Sequence, residues 1–252
     1  MTDSSCAVLV TGGSRGIGRA IARAFAERGD RVAVHWGSLR ERAEAVLDGL
    51  PGSGHVLVQA DMADAASVGA MVDDAADALG GLDVLVNNAG VFVASPPLTS
   101  SYAEWQEVWA QTLAVNLVGA ANATFRAVPH LRAAGGGAVV NVSSRGAFRG
   151  EPDNPAYGAS KAGMNAFAQS MALALAPLGI SVTCVAPGFV QTEMAREVLD
   201  GPGGDAVRAQ SPFGRVARPE EVASAVLWLS SPQARFSTGT IVDVNGGSYL
   251  RS

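Results

Sequence analysis

The stretch "CAVLVTGGSRGIGRAIARAF" (6–25) decides the fold. A short apolar run, rich in valine, breaks into a turn with glycines at 12, 16 and 18 and passes directly into a helical pattern. Gly12, Gly16 and Gly18 let the backbone turn tightly and let a ligand approach without a Cβ in the way. The helix that follows presents free N–H groups and a partial positive charge, which suit a pyrophosphate. The spacing is G-x-x-x-G-x-G rather than G-x-G-x-x-G. Taken alone, such a turn could be a plain strand–helix connection. Its place after the first strand favours a dinucleotide site, with Ser14, Arg15 and Ile17 inside the turn.

Working outward, six more apolar runs follow, at 31–36, 55–60, 82–87, 138–143, 180–186 and 240–245. They are nearly continuous in apolar character, as strands buried on both faces are. Helical patterns lie between them, at 16–28, 39–49, 64–79, 103–134, 157–178 and 219–230. The alternation predicts an α/β fold: a Rossmann-type, doubly wound parallel sheet of about seven strands with helices on both faces. No linker divides the chain, so one dinucleotide-binding domain is expected over 1–252. Gly119 and Pro129 interrupt 103–134, which predicts two helices or one kinked helix. Residues 190–218 match no strand and contain "DGPGGD", which predicts a mobile flap beside the substrate.

Hydrophobic residues make up 48% of the 252 and charged residues 16%, enough to support a sizeable core. A net charge of −5 disfavours nucleic-acid binding. Asn165, Gln169, Pro177 and Gly179 break the most apolar region too often for a membrane span. The amino terminus shows no signal-peptide pattern. The two cysteines, Cys6 and Cys184, read as small hydrophobes in inner strands, and a cytoplasmic protein is expected. His35, His55 and His130 fit no metal or triad pattern.

Ligands of a doubly wound sheet bind at the carboxyl ends of its strands. Those ends read "TGGSRGIG", "GS", "DM", "NNAG", "SSRG" and "PGFVQT". Each could be an ordinary loop; six on one edge predict one extended cleft. "HWGS" (35–38) has no acid where an NAD-preferring fold places one. Arg15, with Arg40 as a second candidate, would instead attract a 2′-phosphate, so NADP(H) is favoured over NAD(H), with Ser38 in contact. Both arginines could also be solvated surface charges. Asp61 and Met62 would meet the adenine, unless Asp61 caps the next helix. In "NPAYGASKAG" (154–163), Tyr157 and Lys161 share one helix face. Free tyrosine has a pKa near 10; a neighbouring ammonium would lower it, so that Tyr157 could exchange a proton with a ketone or alcohol oxygen. Ser144 could hydrogen-bond that oxygen. An amphipathic tyrosine and a snorkelling lysine are the bland alternatives.

"TGGSRGIG", "NNAG", Asn116, Ser144, "YGASK" and "PG" (187–188) occur in the order of the short-chain dehydrogenases/reductases, and the resemblance runs from about residue 6 to "VNGG" (244–247). "TGGSRGIGRAIA" and "VNGG" resemble the branch of the 3-oxoacyl-carrier-protein reductases. The resemblance implies a tetrad of Asn116, Ser144, Tyr157 and Lys161, with Ser143 the weaker candidate for the serine. Lys161 would also hold the nicotinamide ribose, and Asn116 would support a water relay to it. Asn88, Ala89 and Gly90, with Pro187, Gly188, Val190 and Thr192, would hold the cofactor. The expected reaction is reduction of a ketone, either a 3-oxoacyl thioester on carrier protein or CoA or a free ketone. The reverse alcohol oxidation is equally open. Leu178, before Gly179, stands where carrier-protein reductases often have a basic residue, which counts against a carrier partner. Phe148, Trp109, Phe189, Met194 and Phe213 are candidates for an apolar substrate pocket, or for core. Met164, Phe167, Met171 and Leu175 read as core packing. By resemblance a homotetramer, or a homodimer, is expected. A non-catalytic dinucleotide sensor or scaffold is the alternative from another class. A sugar-nucleotide epimerase would share Y-x-x-x-K but usually needs a longer carboxy-terminal region.

Overall fold

The computed structural model describes residues 5–251. Seven strands form one parallel sheet: β1 (Ala7–Val10), β2 (Arg31–Trp36), β3 (Val56–Gln59), β4 (Val84–Asn87), β5 (Gly137–Val142), β6 (Ile180–Pro187) and β7 (Ile241–Val244). Their spatial order is β3-β2-β1-β4-β5-β6-β7, so the winding reverses between β1 and β4. That reversal opens a crevice at the carboxyl edge of the sheet.

Successive strand side chains point to opposite faces, and here both faces are covered. Leu9, Leu85, Val139 and Val182 pack into one core with residues of α3 (Ala65–Leu79), α5 (Ala120–Ala133) and α6 (Pro155–Leu175). Val8, Val10, Val86 and Val140 pack into another with α1 (Gly16–Glu27), α2 (Arg40–Asp48) and α9 (Pro219–Leu229). The unbroken apolar runs follow from this double burial. Cys184 is buried in β6, but Cys6 precedes β1 and is only half-buried, because the strand's first ladder partner is Ala7. The row Met164, Leu175 is buried, and Met171 packs against the same core.

The expected break in 103–134 lies earlier than Pro129. α4 (Tyr102–Leu113) runs into a π-helical turn, Ala114–Gly119, and then into α5. Gly119 closes that turn because a Cβ there would meet the Met62 carbonyl at 2.4 Å. Pro129 sits inside α5 at an exposed position, and the helix continues past it. Residues 190–218 are not a structureless loop. They hold two short helices, α7 (Glu193–Asp200) and α8 (Gly204–Ala209), and a parallel bridge between Val190 and Ala217 closes the base. Among the described residues no helix is long and apolar enough to cross a membrane.

Candidate active site

The glycine turn is shaped by steric necessity. Gly12 and Gly16 have φ of +63° and +52°, which favour glycine. A Cβ on Gly18 would lie 2.1 Å from the Gly12 carbonyl oxygen and 2.5 Å from Asn88 Nδ2. The helix therefore starts directly against the turn. Its first residue follows Arg15, which makes no side-chain cap, so the first N–H groups of α1 keep no side-chain partner. Bare N–H groups and absent Cβ atoms fit a pyrophosphate.

"NNAG" braces this turn from the next strand. Thr11 Oγ1 accepts from the N–H groups of Asn88 (2.9 Å) and Ala89 (3.0 Å), and Asn88 Nδ2 donates to the carbonyls of Thr11 and Gly12. The other brace is His35, which sequence reasoning set aside. Gly12 N donates to its Nδ1 at 2.9 Å, and its Nε2 lies 3.2 Å from the Ala60 carbonyl. These contacts place the proton on Nε2. Burial pushes the imidazole below its ordinary pKa, so it is neutral.

A cleft of about 660 Å³ follows the strand ends. Apart from Arg40, every residue expected at the cofactor lines it, from Gly12, Ser14 and Ile17 through Ser38, Asp61 and Met62 to Pro187, Gly188, Val190 and Thr192. Asp61 is not the cap of α3: Asp64 takes that role by accepting from Ala66 N, while Asp61 accepts from Ala63 N at 2.9 Å. Arg40 does not line the cleft; it turns back one helical turn to Glu44 at 2.8 Å. Arg15 and Arg42 do line it, and Arg42 pairs with Glu193 of α7 at 2.7 Å. An i,i+4 carboxylate explains the loss of Arg40, and position on the cleft-facing side of α2 explains Arg42.

At the far end, Ser144, Tyr157 and Lys161 all line the cleft. Ser144 leaves β5 with its hydroxyl accepting from Gly146 N at 3.0 Å. Tyr157 and Lys161 stand on the first turns of α6, which Pro155 starts. Phe92 packs edge-on against the Tyr157 ring, with centroids 4.8 Å apart. Lys161 Nζ donates to the Val142 carbonyl at 2.8 Å and lies 5.8 Å from the phenol centroid. Ser143 also lines the cleft, but its hydroxyl donates to the Lys161 carbonyl at 3.4 Å.

The electrostatics correct one expectation. Lys161 was expected to pull the phenol's pKa down. Burial dominates instead and raises it; Ser144 opposes the rise and the Glu151 carboxylate adds to it. The phenol keeps an opening to the cleft, but dense protein around it withholds the water a phenolate needs. Burial also lowers Lys161 to about 8, partly offset by nearby Cys184, whose own thiol is pushed up to about 12.

Asn116 sits in the π-helical turn, fully buried, behind the cleft wall. Its Oδ1 accepts from Val91 N at 2.8 Å, and its Nδ2 donates to Val91 O and to Ser160 Oγ. It makes no hydrogen bond to Lys161, though a Cβ on Gly90 would meet both Asn116 Oδ1 and Lys161 Nζ within 3.6 Å.

The apolar end of the cleft is built by Phe92, Phe189, Met194 and Val198. Phe189 and Met194 were expected there. Phe92 and Val198 were not, since neither carries a motif. Phe213 lines a second, smaller cavity of about 170 Å³. Trp109 packs on Trp105 at 5.5 Å, and Phe148 lies under Arg251 at 4.2 Å, so neither reaches the cleft.

A family model described as enoyl-(acyl carrier protein) reductase matches residues 12–249. With the parallel sheet, the glycine turn and the serine–tyrosine–lysine cluster, the match shows that the chain belongs to the short-chain dehydrogenase/reductase family. Within it, the chain stands near the 3-oxoacyl-carrier-protein reductases. It is 38% identical over 252 residues to the 3-oxoacyl-[acyl-carrier-protein] reductase FabG of Staphylococcus aureus, covering 99% of each chain. It is 40% identical over 242 residues to a cis-4-hydroxycyclohexanecarboxylate dehydrogenase of Sinomonas cyclohexanicum, covering 95% of this chain and 94% of that one. A short-chain dehydrogenase of Burkholderia cenocepacia, solved in complex with NADP, superposes with a TM-score of 0.85 at 36% identity, covering 97% of both chains. The chain is therefore a nicotinamide-dinucleotide oxidoreductase of alcohol and carbonyl groups. The comparisons lend no support to a non-catalytic sensor or scaffold.

Proposed function

We propose that the chain is an NADPH-dependent ketone reductase, reversible as an alcohol dehydrogenase, in which Tyr157 carries the proton. The observation that carries this reading is the convergence of Ser144, Tyr157 and Lys161 at the end of a cleft whose other end is the glycine turn. When bound, the nicotinamide supplies or takes up the hydride. The rest falls to side chains. Tyr157 rests protonated, because burial holds its pKa up, and so is a proton donor to a ketone oxygen. Ser144, oriented by Gly146 N–H, donates a second hydrogen bond to that oxygen. Lys161 sets positive charge beside the phenol as its proton leaves, and would hold the nicotinamide ribose. Asn116 fixes Val91 and Ser160, and so the walls on either side of Lys161, the site to which the family resemblance assigns a water relay.

NADP(H) is favoured over NAD(H) because Arg15 and Arg42 flank the cleft and Ser38, not an acid, follows the second strand. The substrate is a 3-oxoacyl thioester or a free ketone; Leu178 and the apolar wall of Phe92, Phe189 and Met194 favour the free ketone. We read 1–252 as one domain with a substrate flap at 190–218, and the working form as a cytoplasmic homotetramer or homodimer. Phe125 and Leu173, 78% and 82% exposed on α5 and α6, support a self-association face.

The test is Tyr157→Phe, assayed on a ketone panel with both cofactors. Turnover should fall by about 10²–10⁴-fold while fluorescence titration still shows NADPH binding. Retained turnover would overturn the proton role. Specificity constants favouring NADH by more than about tenfold would overturn the cofactor reading.

A further inference from the structure

Next to Ser144 stands a buried cation that the proposed chemistry does not use. Arg145 is 4% exposed, yet it lines both the main cleft and the smaller cavity beside the flap. Its Nη1 donates to Gln210 Oε1 and to Ser248 Oγ, both at 2.8 Å. Both acceptors are neutral. Among the described residues no carboxylate oxygen lies within 4.0 Å of its guanidinium. The remaining donors, on Nε and Nη2, have no hydrogen bond among the described residues and are not fully sealed from solvent. Phe189 lies under the guanidinium at 5.3 Å and gives it an apolar floor.

A buried guanidinium without a counter-charge is costly unless something pairs with it. Several other arginines find carboxylates, as Arg215 does with Glu221 at 2.6 Å and Arg251 with Asp243 at 2.8 Å. Arg145 faces Arg149, which shares Gln210 as a hydrogen-bond acceptor, and Glu151 on the same cleft wall, while Glu221 and Asp243 on the smaller cavity are already paired with Arg215 and Arg251. Two guanidiniums therefore meet one carboxyl, and that carboxyl is itself driven toward its neutral form by burial. The local balance is positive, one residue from the serine that meets the ketone oxygen.

We infer that Arg145 is an anion anchor, and that the chain acts on ketones and alcohols bearing a carboxylate. This rests on the ketone-reductase reading of the same site. The carboxylate takes the open edge of the guanidinium as a bidentate, charge-assisted pair. The carbonyl then faces Ser144 and Tyr157, and the carbon frame between the two groups lies on Phe189 and Phe92. Gln210 follows α8 and Ser248 follows β7, so Arg145 also ties the flap and the carboxy-terminal loop to the end of β5.

The test measures kcat/KM for 4-oxocyclohexanecarboxylate and for its methyl ester, which differ in charge and little in shape, within a wider panel of neutral ketones. The wild type should prefer the acid by about tenfold or more. Arg145→Met should lower that ratio by about tenfold or more, and Arg145→Lys, which keeps the charge without the fork, should give an intermediate ratio. A ratio of two substrates on one preparation is unaffected by loss of folded protein, and should Arg145→Met fail to fold, the wild type and Arg145→Lys decide. A wild-type ratio near one, or a ratio unmoved in the variants, overturns the anchor and leaves the reductase reading intact. Absence of turnover with every ketone overturns both.

Discussion

The two ends of the cleft are built on different principles. At the dinucleotide end, backbone meets backbone: Gly18 against Gly12, Gly12 against Ala89, with Thr11, Asn88 and His35 bonding main-chain atoms. At the substrate end, side chains from separate loops face one another across open space: Phe92, Phe189, Met194, Val198, Arg145. The first kind of site tolerates no added atom, and its ligand is fixed by geometry. The second tolerates exchange, and its ligand is set by which side chains happen to be there.

The comparison can be broken at its rigid end first. Gly18→Ala puts a methyl 2.1 Å from the Gly12 carbonyl oxygen, which Asn88 Nδ2 holds in place. The expected cost is about 3 kcal/mol, the upper end for overpacking. If it falls on the bound state alone, dinucleotide affinity drops on the order of a hundredfold. Calorimetric titration and thermal unfolding measure both parts; a variant that binds normally would show that the turn has slack.

Where the two ends meet, Lys161 allows a sharper test. Its pKa falls from 10.5 to about 8 on folding. The unfolded chain therefore holds the proton more tightly, and the group's contribution to stability is present above 10.5 and lost as pH falls toward 8. Lys161→Met should abolish turnover yet be more stable than wild type at pH 7 by roughly 2 kcal/mol, about 3 from the pKa difference less about 1 for the lost bond to Val142. That advantage should shrink between pH 8 and 10.5 in denaturant titrations. A less stable variant at pH 7 would mean that the ammonium is better solvated than its burial implies.

The smallest effect belongs to the tolerant end. Met194 lines the cleft but is 53% exposed. Met194→Ala should raise KM for an apolar ketone about three- to fivefold, from roughly half the burial energy of a methionine, with dinucleotide affinity unchanged. A change in dinucleotide affinity would show that the ends are coupled through α7.

The same contrast explains what could be read from the chain alone. Gly12, Gly16, Gly18 and "NNAG" were legible because each meets a local backbone demand that few residues satisfy. The strands were legible because burial on two faces leaves an unbroken apolar run. His35 was not, because its role depends on β2 lying beside β1 in a register that sets His35 just past Val34, the partner of Val10. Arg42 and Phe92 depend on where a loop and a helix face end up, which carries no local pattern. The direction of the Tyr157 shift was misread for a related reason. A charge four residues away is visible in sequence, whereas burial sums over every element packed around the ring.

The π-helical turn at Ala114–Gly119 gives the span from α4 to α5 one residue more than a regular helix would hold. Each α-helical residue advances about 100° around the axis. The π turn absorbs that extra 100° in its wider i→i+5 ring, so deleting any one of those six would let the span relax into a single uninterrupted helix with Ala123, Ala127 and Leu131 still facing the sheet's core. The irregular turn thus works as an angular coupling. It lets α4 present Gln111 to the cleft while α5 keeps its seal on the sheet, and it takes up the added residue, in the six that include Asn116, without disturbing either flank.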